Sequence, residues 1–130
     1  MPTTAKHKVY LAGKMRGVPN FNFPAFMYAA KKLRSDGWTV FNPAERDNER
    51  HGTDISKYNR TGDESKLVAK YGFNLRVALC DDLTFICTEA DAIAMLPGWE
   101  DSKGANAELA TAKALGLEII FLDGSYVKQS

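Results

Sequence analysis

The stretch from Ala92 to Leu122, AIAMLPGWEDSKGANAELATAKALGLEIIFL, constrains this chain more than any other. An apolar run, AIAML, passes through a polar loop containing Gly98 and enters a helical segment, Glu108 to Leu115, which Gly116 ends. A second apolar run, Leu117 to Leu122, follows at once. Run, helix and run so closely joined make a βαβ unit, with parallel strands and a right-handed crossover. Open parallel sheets hold their ligands beyond the carboxyl ends of the strands, and the loop after Leu96 is such a place. Ser102 lies six residues before Glu108, and Gly104 and Ala105 keep the backbone between them uncluttered. Backbone N–H groups at such a helix start suit an anion, most obviously a phosphate. Glu108 then reads as a nucleophile and the loop before it as a nucleotide holder, although the helix dipole alone also favours an acid there.

The rest of the chain repeats the alternation. Val9 to Ala12 form a buried strand that Gly13 ends, and the loop KMRGVPNFNFP follows. Asn20 or Asn22 caps the next helix, with Pro24 at a first helical position and Phe26, Ala29, Ala30 and Leu33 on its apolar face. Lys31, Lys32 and Arg34 suit the helix end, and Gly37 caps it. Trp38 to Phe41 is the second strand, broken by Asn42-Pro43. Residues 44–65 are polar and aperiodic, a long functional or mobile loop with room for a short helix. From Tyr71 the spacing of Leu75, Leu79, Leu83, Ile86 and Ala90 predicts one long amphipathic helix. The tail DGSYVKQS is polar, with room for a fifth short strand.

The expected fold is therefore a single α/β domain over residues 1–130, a flavodoxin- or Rossmann-like three-layer sandwich with a parallel sheet ordered 2-1-3-4. That order sets the first and third strands side by side. Their loops, GKMRG and PGWEDSKGA, then meet at the topological switch point.

Composition narrows the classes. A net charge of +1 gives no electrostatic case for a nucleic-acid polymer or a membrane surface. No apolar run reaches membrane-spanning length, and MPTTAKHK has no apolar segment behind its charges, so a cytoplasmic protein is expected. Cys80 and Cys87, seven residues apart on one helix, lie roughly 10 Å apart, too far for a disulfide, and read as reduced core residues. His7 and His51 are isolated, so no metal is expected, and no cofactor.

YLAGKMRG near the start, the helix leading into ADAIAMLPGW, and SKGANAELATAKALG together resemble the nucleoside 2-deoxyribosyltransferase superfamily, which includes deoxynucleoside monophosphate N-glycosidases and small phage and bacterial relatives. The resemblance covers most of the chain, leaving out Ala44 to Lys70. It implies that Glu108 attacks C1′ of the sugar and that Tyr10 hydrogen-bonds and orients it. It implies that Ser102, with Asp101 beside it, contacts a 5′-phosphate, and that Gly13, Arg16 and Gly17 wrap phosphate and sugar. It further implies that an aspartate of the middle helix, Asp81 or Asp82, lies near the base and its leaving nitrogen. Lys14 departs from the serine common in the monophosphate hydrolases, yet could grip phosphate. Trp99 walls the base pocket or covers the core edge, and Ser102 can be helix cap and phosphate contact at once. The resemblance also implies a homodimer or larger assembly.

The expected activity is cleavage or exchange of the N-glycosidic bond of a nucleoside or its 5′-monophosphate. Such a bond breaks through an oxocarbenium-like state that wants a carboxylate below C1′ and a second acid for the departing base. Two other functions remain: hydrolysis of another nucleotide such as an NAD-like dinucleotide, and a module that binds nucleotides without chemistry.

Overall fold

The structure is a computed structural model and describes residues 7–51 and 75–126. Its elements are β1 (Lys8–Ala12), a 3-10 turn (Pro19–Asn22), α1 (Phe23–Ser35), β2 (Thr39–Phe41), α2 (Pro43–His51), α3 (Leu75–Thr88), β3 (Ala92–Met95), a 3-10 turn (Trp99–Asp101), α4 (Lys103–Ala114), β4 (Glu118–Phe121) and a last 3-10 turn (Gly124–Tyr126). The strands form one sheet in the order β2-β1-β3-β4, and every pair is parallel. The register sets Tyr10 beside Phe41 on one side and Ile93 on the other. The expected α/β three-layer fold and strand order are those observed.

The period of two along the strands decides which layer each residue meets. Val9, Leu11, Ala92 and Ala94 point to one face, where Phe26, Ala29, Ala30 and Leu33 of α1 close over them. Tyr10, Ala12, Ile93 and Met95 point to the other, against Ile86 of α3 and Ala105, Leu109 and Ala112 of α4. The two central strands, β1 and β3, are buried on both faces and so read as continuous apolar runs in the sequence.

The polar stretch 44–65, read as a long loop with room for a short helix, does begin with one: α2, which Arg34 ties to α1 through a two-pronged pair with Glu45 at 2.6 and 2.7 Å. Two details differ from expectation. Cys80 and Cys87 do share a helix without a disulfide, but both are exposed, because the buried line of α3 runs through Ala78, Asp82 and Ile86. The described part of the tail is a 3-10 turn rather than a strand, held on α1 by Lys32, which bonds Ser125 and lies 4.4 Å from the centre of the Tyr126 ring. The stretches 52–74 and 127–130, including the helix start expected at Tyr71, lie outside the described residues. No helix among the described residues is long and apolar enough to cross a membrane.

Candidate active site

A cleft of about 350 Å³ opens at the carboxyl ends of β1 and β3, the switch point of the sheet. Its size is ordinary for a small-molecule site. Tyr10, Asp47 and Asp82 gather around Glu108 in it, and Lys14, Arg16 and the start of α4 from Ser102 to Ala105 line it as well. Phe21, Phe23 and Phe26 give it an apolar wall.

The acid cluster is built around one hydrogen bond. Tyr10 sits in the interior of β1 and is 1% exposed; its hydroxyl donates to Oε2 of Glu108 at 2.8 Å. The ring is held from behind by Phe41, stacked at 5.4 Å, and Phe41 in turn stacks on Phe85 at 4.4 Å. With the ring packed on this column, the hydroxyl has little freedom other than to meet Glu108. Burial, then the charges of Glu108 and Asp82, push the Tyr10 phenol well above its ordinary value, so it remains a donor.

Glu108 reaches the cleft because α4 turns its side chain inward, in line with Ala105, Leu109 and Ala112. Its proton affinity is pushed well above the usual carboxylate range, chiefly by burial and then by the charge of Asp82, with a smaller push from Asp47; the Tyr10 hydroxyl pulls it back down. Two neighbouring carboxyl groups resist joint ionisation, so the Glu108–Asp82 pair keeps a proton to higher pH than a lone carboxyl would. One ionised and one protonated carboxyl is the state that nucleophile-plus-acid chemistry needs.

The choice between Asp81 and Asp82 is decided by the turn of α3. Asp82 faces the cleft and is 8% exposed, whereas Asp81 points outward and pairs with Arg46 at 2.9 Å.

The cleft also takes in the start of α4, and backbone N–H groups at a helix start suit an anion. Ser102 is extended and its Oγ accepts from the N–H of Ala105 at 3.0 Å, so it caps α4. Asn106 donates to the carbonyls of Ser102 and Glu100 at 2.8 and 3.1 Å, bracing the turn before the helix. A Cβ placed on Gly104 would meet only Ser102 Oγ, at 4.0 Å, so packing does not demand glycine there. Gly13 differs: its Cβ would lie 2.9 Å from Leu96 Cβ, so the close approach of the β1 and β3 ends requires it. Gly17, at φ +82°, serves the turn and does not line the cleft. Trp99 does not line it either; it lies against Phe121 at 5.8 Å and covers the edge of the core.

The loop from Lys14 to Asn22 is held in a form that favours few sequences. Asn20, Phe21 and Asn22 all have left-handed backbone, with φ of 55°, 54° and 60°. Asparagine tolerates that region; phenylalanine does so at a cost of about 1–2 kcal/mol. The cost is met by burying Phe21 to 3% and by Asn22 Nδ2, which donates to the Lys14 carbonyl at 3.0 Å rather than capping α1.

Sequence reasoning missed Asp47, which is 6% exposed and lines the cleft. Its helix is so polar that no apolar period marks the inward face; the nearest signal was Pro43 after a strand, a first-turn proline. Among the described residues no group of three or more His, Cys, Asp or Glu is arranged to hold a metal ion.

Fold and cleft together define an α/β protein with a carboxylate–tyrosine site at its switch point. Residues 7–121 match the model of a domain of unknown function, DUF4406, and the chain belongs to that family. No curated protein and no solved structure matches it.

Proposed function

We propose that the protein cleaves or exchanges the N-glycosidic bond of a nucleoside 5′-monophosphate or nucleoside, with Glu108 as nucleophile. The observation that carries this reading is the buried 2.8 Å hydrogen bond from Tyr10 to Glu108, made in a cleft that also holds Asp82 and a capped helix start. The ionised carboxylate attacks C1′, the bond from C1′ to the base nitrogen breaks, and the electron pair leaves with the base. Asp82, the second carboxyl of the cluster, is the acid that gives a proton to the departing nitrogen. Water or a second base then attacks C1′ of the glycosyl ester, its proton passes to the Asp82 carboxylate, the bond from C1′ to Glu108 breaks, and both carboxyl groups are restored. The chain's own groups suffice for each proton in this sequence. The same reading carries a cytoplasmic homo-oligomer, an assembly that sedimentation would test.

Lys14, Arg16 and the N–H groups at the start of α4 suit a 5′-phosphate. Monophosphates should therefore be turned over at least about tenfold better than nucleosides, the worth of one charge-assisted bond. The test is release of free base from a panel of monophosphates and nucleosides, by the wild type and by Glu108→Gln. Loss of about 10³-fold or more in the variant is expected. Turnover of the variant near the wild-type rate would remove Glu108 from its role; ligand binding without base release by the wild type would make the protein a nucleotide-binding module.

A further inference from the structure

The mechanism above gives Asp47 no role, although it lines the same cleft. It stands on α2, is 6% exposed, and shares the cleft with Tyr10, Asp82 and Glu108. Its placement follows from the topology. Lys14 and Arg16 stand on the loop after β1, and the start of α4 follows β3. Asp47 comes from the helix that follows β2, and β2 lies on the other side of β1 from β3. On this topology, a ligand with its phosphate at the start of α4 and its reacting carbon at Glu108 would extend its remaining part toward the β2 side. On the reading proposed above, that part is the leaving base.

We infer that Asp47 is a specificity-determining residue: its carboxylate accepts a hydrogen bond from an exocyclic amino group of the base. A carboxylate can only accept. An amino-bearing base such as cytosine or guanine offers it a donor. Uracil turns a carbonyl oxygen to the same place, and hypoxanthine offers nothing where guanine carries its 2-amino group. An acceptor facing a buried acceptor loses the bond and leaves both groups desolvated. The negative charge that Asp47 brings to the cluster, felt at Glu108, acts in the same direction, since it too favours a donor. The substrate class is thus the amino-bearing nucleotides. The inference rests on the N-glycosidic reading and adds the base to it.

The experiment is calorimetric binding to the Glu108→Gln protein, which holds ligands without turning them over. The probes are two pairs of 2′-deoxynucleoside 5′-monophosphates, cytidine against uridine and guanosine against inosine. The amino-bearing member of at least one pair should bind about tenfold tighter or more. Adding Asp47→Asn should bring that ratio close to one, because the amide presents a donor as readily as an acceptor. Asp47→Ser is the second variant, and melting curves confirm that each protein is folded. The preference in the Asp47 protein needs no variant at that position, so the inference can fail even if neither substitution folds. Equal binding within both pairs, or a preference that survives both substitutions, would overturn the role of Asp47 and leave the glycosidic reading standing. No binding of any of these monophosphates or of the corresponding 2′-deoxynucleosides would overturn that reading, and this inference with it.

Discussion

The two faces of β1 divide the work of the molecule. Val9 and Leu11 point into an all-apolar layer closed by α1, where Phe26, Ala29 and Leu33 are at most 2% exposed. Tyr10, between them in sequence, points the other way, into a layer where α3 and α4 bring in Asp82 and Glu108. Both layers are buried. The first gains stability from every side chain it hides; the second hides carboxyl groups whose charged forms burial disfavours. One strand thus anchors the fold with its odd-numbered residues and aims a hydroxyl at Glu108 with an even-numbered one. The acid layer is tolerable because the apolar layer across the sheet offsets it.

The contrast can be broken most forcefully on the α1 side. Leu33 is 2% exposed and does not line the cleft. Leu33→Ala should lose about 2–5 kcal/mol of stability by denaturant titration, with kcat unchanged below the melting point. A variant as stable as the wild type would show that the α1 layer is not the anchor.

Tyr10→Phe should do the reverse. Only the hydroxyl oxygen is removed and the ring stack is kept, so stability should change by no more than about 1–2 kcal/mol. The rate should fall by about 10²-fold as Glu108 loses its orientation. The pH profile adds a second reading. The Tyr10 hydrogen bond lowers the proton affinity of Glu108, so its removal raises that affinity, and the acidic limb of kcat/KM should move to higher pH. A variant that melts much lower yet keeps its kcat and its pH profile would make Tyr10 a core residue like its neighbours.

The smallest effect is also the most telling about the acid layer. Because the folded protein raises the proton affinity of Glu108, the folded state holds more protons than the unfolded chain above the ordinary carboxylate pKa. Stability associated with Glu108 is therefore present at low pH and is lost as pH rises through its raised value. Glu108→Gln escapes that loss. It should melt a few degrees higher than the wild type at neutral pH, a gain of about 0.5–2 kcal/mol, and the gap should close toward pH 4. A gap that widens on acidification would contradict the sign of the shift.

What could be read in advance followed the same division. Strands buried on both faces are apolar runs, and α1 carries an apolar period, so the sheet, its order and the α1 layer were plain. Glu108 was legible because the loop and helix that carry it follow such a run; Tyr10 is one residue of the first run, and its role came only from the resemblance. Asp47 was not, because α2 is polar throughout and its inward face is chosen by contacts rather than by pattern. The middle aspartate was narrowed only to two neighbours, since a helix turns by about 100° per residue and the sequence does not give the phase of α3 to that accuracy. The phase was masked because a carboxylate, Asp82, occupies the buried line between Ala78 and Ile86, while Leu75 is left 41% exposed. The cysteines were misplaced for the same reason.

The central claim is that Glu108 forms a bond to the sugar. A 2-fluoro sugar destabilises the oxocarbenium-like state, so a glycosyl ester formed from it should accumulate. The measurement is intact-protein and peptide mass spectrometry after incubation with a 2′-fluoro nucleoside 5′-monophosphate whose base is shown to be released. The account predicts an added mass of one fluorinated sugar phosphate, localised to the peptide containing Glu108 and absent from Glu108→Gln. Release of the base with no adduct, or an adduct on another residue that persists in Glu108→Gln, would contradict it.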